Sequence, residues 1–273
     1  RALTGIDPKK QATRGLARRG LMEQFMTRSA SGSLRWVGAQ YPCPAFAQEA
    51  DMSLYEYENF VYAATFADQD DPVTKWREVQ AQQQELVEWL KGKKEMVVRG
   101  PNVDLTLSIQ DRTFINACGD KNMPDGEIFT GPVEESVNGW VRFSYPALRG
   151  GMEVDGVEFK FESGKVTQAT AKKNQEYLLT QLDSDEGSRY LGEFAIGTNY
   201  GIQRFTKNIL FDEKNLGGLY TWPSERAIPK PGVRINQLFT GISSVICVKI
   251  VKSEWMENYF TKMGYSKFSP HPK

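Results

Sequence analysis

Between Lys94 and Thr170 the chain reads as a succession of short β-prone runs cut by glycine turns, and no other feature restricts its fold as much. Met96 to Arg99, Val103 to Ile109, Phe114 to Ala117, Trp140 to Tyr145, Met152 to Val154, Val157 to Phe161 and Val166 to Thr170 are rich in β-branched and aromatic residues. Turns are predicted at Arg149-Gly-Gly151, Asp155-Gly156 and Ser163-Gly164, and Asp-Gly between alternating residues is a strong hairpin signal. Connections this short cannot cross between parallel neighbours, so the expectation is an antiparallel β-rich body. The alternating aromatics Trp140, Tyr145, Phe159 and Phe161 read as sheet face or core.

Upstream the period is helical. Asp7-Pro8 offers a cap and a first-turn proline for a basic helix over Lys9 to Arg28. Ser33 to Ala39 is a short extended piece and Tyr41 to Pro44 a turn. Ser53-Leu-Tyr-Glu56 is a capping box that opens a helix through Ala64. A further helix starts at Pro72, carries Val73, Trp76, Val79, Leu86, Val87 and Leu90 on one face, and stops at Gly92. Its basic and glutamine-rich faces read as solvated surface. Lys173 to Leu182 returns to helix. The fold class expected is α+β: a helical part over 1–93, a β-rich part carrying the site over 94–214, and a tail over 215–273.

Lys plus Arg and Asp plus Glu stand at 34 each, which points away from nucleic acid and from an acidic membrane. The chain contains no apolar run long enough to span a membrane, and no signal peptide is expected. Three widely separated cysteines, Cys43, Cys118 and Cys247, suggest a reduced cytoplasmic setting without a disulfide frame. The chain holds one histidine, His271, close to its last residue.

Two segments hold the chemistry. Lys121-Asn-Met-Pro-Asp-Gly-Glu127-Ile-Phe-Thr-Gly-Pro132 and Leu191-Gly-Glu193-Phe-Ala-Ile-Gly-Thr-Asn-Tyr-Gly201 each set one carboxylate beside glycine and a short apolar run, at a strand edge or end. Taken bare, a glutamate in such a setting is more often solvated than functional. In this order and spacing, however, the segments resemble the thermophilic-aminopeptidase family of metallo-aminopeptidases (the aminopeptidase T, S and II group), and the likeness runs from Arg1 to Lys214. The resemblance implies that Glu127 and Glu193 bind two divalent metal ions, zinc, cobalt or manganese, and act on peptide substrates in a cytoplasmic homodimer. Asn122, Asp125 and Asn199 are candidates to support those carboxylates. Glu134-Glu135 reads as a solvated loop pair, and Gly126, Gly192 and Gly197 as positions of tight backbone. No residue is assigned a catalytic role.

After Asp212-Glu-Lys214 the family continues with motifs of the form G-G-T-I-H-L-A-L-G, Y-P-E-T-G-G and S-A-I-H-W-D, which supply two histidines, an aspartate and a tyrosine. This chain reads Asn215-Leu-Gly-Gly-Leu-Tyr-Thr-Trp-Pro-Ser224 instead. Codons chosen for Leu219 to Pro223 and read in a shifted frame give I-H-L-A. The same frame turns Ser224 to Pro231 into L-G-A-S-Y-P-E-T and Gly232 to Ile242 into G-G-K-N-Q-S-A-I-H-W-D. The expectation is that residues from about Asn215 onward are an out-of-frame tail, irregular except for a strand near Val245 to Val251. Trp222, Cys247, Trp255 and His271 then carry no functional weight. The chain also begins without methionine and is expected to lack an N-terminal α/β portion. The parent activity implied is release of N-terminal residues from peptides, and the chain as written is expected to be inactive because half the metal ligands are missing. The alternative is a non-catalytic peptide-binding or interaction module on the same scaffold.

Overall fold

The computed structural model describes residues 6–149, 151–184 and 187–214, and the strands at 219–223 and 244–246. The chain opens with α1 (Pro8–Ala17), α2 (Arg19–Ala30), β1 (Gly38–Ala39), α3 (Pro44–Glu49), α4 (Leu54–Ala64) and α5 (Pro72–Leu90). Strands follow: β2 (Glu95–Gly100), β3 (Val103–Ser108), β4 (Ile115–Ala117), β5 (Asn122–Met123) and β6 (Glu127–Thr130). A 3-10 turn at Glu134–Ser136 leads to β7 (Asn138–Arg142), β8 (Ala147–Arg149), β9 (Met152–Val154), β10 (Glu158–Glu162) and β11 (Lys165–Thr170). Then come α6 (Gln175–Leu182), β12 (Leu191–Gly197), α7 (Ile209–Asp212), β13 (Leu219–Pro223) and β14 (Ser244–Ile246).

Two five-stranded antiparallel sheets form the body, ordered β11-β10-β7-β3-β2 and β14-β13-β12-β6-β4. Strands β8 and β9 pair with each other, and β1 runs parallel to β5. One apolar core joins the two large sheets to α5 and α6 through Leu86, Leu90, Leu105, Leu107, Ile128, Val141, Phe159, Leu178 and Phe194. A second core packs α3 and α4 (Ala47, Tyr57, Val61) against Ile202 and Phe211. The mixed architecture is the α+β fold expected, and its strand runs lie close to their sequence limits.

Local chemistry explains most element starts. The capping box forms as read: Ser53 Oγ accepts from Glu56 N at 3.2 Å, and Ser53 N donates to Glu56 Oε2 at 2.8 Å. Asp71 caps α5 by accepting from Thr74 N, and Gly92 takes the left-handed conformation just past the helix end.

Several expectations are corrected. The basic helix over Lys9 to Arg28 is two helices that part at Arg18, and Pro44 opens a short helix where only a turn was foreseen. Asp155-Gly156 closes no hairpin, since β9 pairs with β8 whereas β10 pairs with β7 and β11. The N–H groups of Lys172 and Lys173 instead bond to Asp155 O, occupying the acceptor at that turn. On α5, Val73 is exposed, while Gln83, assigned to a solvated face, is 2 % exposed. Its amide donates to Asn116 Oδ1, Ala117 O and Glu127 O, satisfying buried acceptors that an apolar residue would leave bare.

Within the tail, β13 pairs with β12 over five registered positions and β14 pairs with β13, so these stretches are not irregular. Pairing along a strand edge uses backbone groups alone and needs no selected side chains. The expectations for Val248 to Val251, Cys247, Trp255 and His271 lie outside the described residues.

Candidate metal centre

Strands β6 and β12 build the site. Glu127 stands opposite Gly197, Ile128 opposite Ile196, Phe129 opposite Ala195 and Thr130 opposite Phe194. Because side chains alternate, Ile128, Phe194 and Ile196 face the main core beneath α5. Glu127, Phe129, Glu193 and Ala195 leave the opposite face, with the Phe129–Ala195 pair between the two glutamates. The register thus gives both candidate ligands one face of one sheet.

The loop before Glu127 is held by its own polar groups. Gly119 N donates to Asp125 Oδ2 at 3.0 Å, Gly126 N to Ala117 O, and Thr198 N to Gly126 O. Asn199, 1 % exposed, is the knot of this region. Its amide donates to Asp125 O at 2.8 Å and to Ala64 O at 3.0 Å, its Oδ1 accepts from Gly201 N, and its backbone N bonds to Lys214 O. Gly126 has φ +112°, and a Cβ there would lie 2.8 Å from Asn199 Cβ. Gly126→Ala is therefore expected to cost about 1–3 kcal/mol from backbone strain and displacement of Asn199. Urea unfolding checks this, and a loss below a few tenths would contradict it.

A cation is already present in the cluster. Lys214, wholly buried at the end of the α7 turn, places Nζ 3.3 Å from Glu127 Oε1 and 2.5 Å from Glu213 Oε1. Burial alone would pull its ammonium down, but Glu127, Glu213 and Asp125 outweigh that and hold it above the ordinary lysine value. Burial pushes Glu127 well above the usual carboxylate range; Lys214 opposes the rise, while Glu213, Glu193 and Asp125 add to it. Glu193 is raised to about 8 by burial and by Glu213. Burial lifts Asp125 to about 6, against Lys214 and two backbone N–H groups. Four carboxyl groups thus surround one ammonium. In a desolvated pocket that imbalance favours added positive charge.

Asp212 anchors the segment by accepting from Thr206 N at 2.7 Å and Thr206 Oγ1 at 2.9 Å. Burial nevertheless raises it to about 7. A carboxyl group with a folded pKa above its unfolded value contributes stability that is present below about pH 4 and lost as pH rises through about 7. Asp212→Asn keeps the accepting oxygen and removes the charge, so the variant should gain on the parent protein between pH 4 and 7. Unfolding midpoints across that range test this, and a constant difference would refute it.

Of the supporting residues foreseen, Asp125 and Asn199 are at the site. Asn122 lies instead in β5, opposite Gly38, and Glu134 and Glu135 are exposed. Sequence reasoning missed Glu213, Lys214 and Gln83; the signal available was a charged trio, Asp212-Glu-Lys214, directly after apolar Ile209-Leu-Phe211. Glu127 Oε2 and Asp125 Oδ1 are buried without a hydrogen-bond partner among the described residues. Yet no three Asp, Glu, His or Cys side chains among the described residues are grouped to hold a metal. The donors fit part of a coordination sphere and not a whole one.

The sequence profile of the thermophilic metalloprotease family (M29) matches residues 1–219. The chain is 28 % identical over 232 residues to aminopeptidase 2 of Geobacillus stearothermophilus, covering 77 % of this chain and 56 % of that protein. It is 31 % identical over 222 residues to aminopeptidase T of Thermus aquaticus, covering 71 % and 54 %. It thus spans about half the length of the curated relatives it matches. The structure of wild-type AmpT from Thermus thermophilus superposes with a TM-score of 0.62 at 24 % identity, over 81 % of this chain and 59 % of that one. A 2,5-dihydroxypyridine dioxygenase from Pseudomonas putida matches at 0.56 and 12 %, over 83 % and 70 %, so the scaffold itself is not tied to one chemistry. No helix among the described residues is long and apolar enough to cross a membrane. By the profile match over most of its length, the chain belongs to the thermophilic metalloprotease (M29) family.

Proposed function

We propose that the protein to which this chain belongs is a metal-dependent aminopeptidase, with Glu127 and Glu193 as carboxylate ligands to two divalent ions, zinc, cobalt or manganese. The observation that carries the reading is the buried Glu127 carboxylate, whose Oε1 meets Lys214 while Oε2 has no partner among the described residues, on the sheet face it shares with Glu193. When bound, such ions lower the pKa of a water and polarise a peptide carbonyl. The chain's own residues do the rest. Lys214 holds Glu127 Oε1 and Asn199 fixes the loop through Asp125 O, while the acidic surroundings favour the free amine of a peptide. The proposal extends to a cytoplasmic homodimer acting on peptides, with oligomeric state open to light scattering.

A competing reading, a non-catalytic peptide-binding module, is favoured by the incomplete donor set. Calorimetric titration of the chain with zinc, cobalt or manganese separates the two. Weak binding that disappears in Glu127→Gln and in Glu193→Gln supports the metal-centre reading. Binding indifferent to both substitutions would overturn it.

A further inference from the structure

One side chain of α5 reaches the strands of the candidate centre from behind. Gln83 is buried, and both ends of its amide are engaged. Nε2 donates to Glu127 O at 2.9 Å, Ala117 O at 3.0 Å and Asn116 Oδ1 at 2.7 Å, while Oε1 accepts from Thr198 Oγ1 at 2.9 Å. These contacts fall at one end of the sheet. Ala117 stands opposite Glu127 between β4 and β6, Glu127 opposite Gly197 between β6 and β12, and Thr198 follows Gly197. A single amide therefore ties β4, β6 and the exit of β12 to the helix. The helix is fixed in turn: Asn116 Nδ2 donates to Gln80 O at 2.9 Å and to Gln84 Oε1 at 3.2 Å, and Leu86 and Leu90 lie in the main core.

We propose that Gln83 is a positioning residue for the metal centre: by holding the Glu127 carbonyl and the Thr198 hydroxyl with one amide, it sets where the Glu127 carboxylate stands on the far face of the sheet. The inference rests on the metal-centre reading, in which Glu127 is a ligand. A ligand must be held within about 0.5 Å of its productive place, and a carboxylate inherits every shift of the backbone that carries it. Lys214 restrains the carboxylate at Oε1, and Gln83 restrains the backbone at the carbonyl. An apolar residue at position 83 would fill the same space but take the amide donor from three oxygens at once. Packing asks only for volume, whereas these directed bonds act on Glu127 and Thr198 in particular.

The test is titration of the full chain with cobalt(II), read from the visible absorption of the bound ion, with circular dichroism confirming that each variant is folded. Gln83→Met keeps the length of the side chain and loses the amide. It should weaken cobalt binding by roughly 10–100-fold, the scale for groups that orient a ligand. Thr198→Val removes one bond of the clamp and should weaken binding in the same direction, whereas Thr198→Ser should bind as the parent does. Leu86→Ala takes core contacts from the same helix without touching the clamp; it should lower the urea midpoint and leave cobalt affinity unchanged. If Gln83→Met binds cobalt as the parent does, if Leu86→Ala weakens binding equally, or if Thr198→Ser is no better than Thr198→Val, Gln83 only stabilises the fold. The inference then fails while the metal-centre reading stands. If the parent chain binds no cobalt, or binds it no better than Glu127→Gln, the metal-centre reading fails and the inference falls with it.

Discussion

Incubated with zinc, cobalt or manganese, the chain as written is expected to release no residue from an aminoacyl reporter, whereas the protein read in the shifted frame after Lys214 should do so. The reason is the number and kind of donors. Glu127 and Glu193 offer oxygen only, the described residues contain no group of three metal-binding side chains, and the lone histidine stands at position 271. A catalytic ion of this kind takes about three protein ligands and an open position, and two ions cannot share two carboxylates and reach that number. Read in the shifted frame with the codons chosen above, the segment from Leu219 onward would supply two histidines, an aspartate and a tyrosine. It begins where β13 already pairs with β12, with residue 222 opposite Glu193. Restored donors would therefore enter next to the existing carboxylates. In the repaired protein, Glu127→Ala or Glu193→Ala should lower turnover by more than about 100-fold, since even partners one shell beyond a metal cost 10–100-fold. Chelator-sensitive hydrolysis by the unrepaired chain would defeat this account, as would a repaired enzyme indifferent to the two substitutions.

Lys214→Met is expected to produce the largest loss of stability of any single change considered for this chain. The side chain is wholly buried and contacts two carboxylates, so removing its charge leaves Glu127 in a desolvated site with only like-charged neighbours. Breaking one side of a buried ion pair costs about 3–5 kcal/mol, a large part of a typical folding free energy. Converting Glu127 to Gln in the same protein should return much of that loss, because the uncompensated buried charge is then gone. The cost should also shrink on acidification, since a protonated Glu127 needs no counter-ion and its pKa already lies high. Urea unfolding of the two single variants and the double variant forms the cycle that measures this. A Lys214→Met cost under about 1 kcal/mol, or a double variant no more stable than Lys214→Met, would show that Lys214 is not the counter-charge of this cluster.

Part of this molecule was legible from spacing alone. Ser53 and Glu56 cap α4 because the capping box depends on residues three apart, and no distant partner is needed. Strand runs were visible because β-branched and aromatic residues alternate or cluster over local windows. The Asp155-Gly156 turn misled because the dipeptide specifies a bend and not the strand that follows it into a sheet; that pairing was decided by β7 and β11. Gln83 misled because a polar residue at a helical position reads as surface unless the acceptors above it are known. Those acceptors, Ala117 O and Glu127 O, lie more than 30 residues away in the chain.

What the sequence by itself determined is chemical identity and local form: the α+β succession, the two glycine-flanked glutamates and the family to which their motifs point. What only the tertiary structure decided is which charges meet. Pairing of β6 with β12 places Glu127 and Glu193 on one face, and the α7 turn carries Glu213 and Lys214 back to them. Periodicity reports which face of an element is apolar, but carries no term for the distance between charges far apart in sequence. Burial then turns that proximity into raised carboxyl pKa values and a trapped ammonium, because desolvation acts only once the surrounding core has closed.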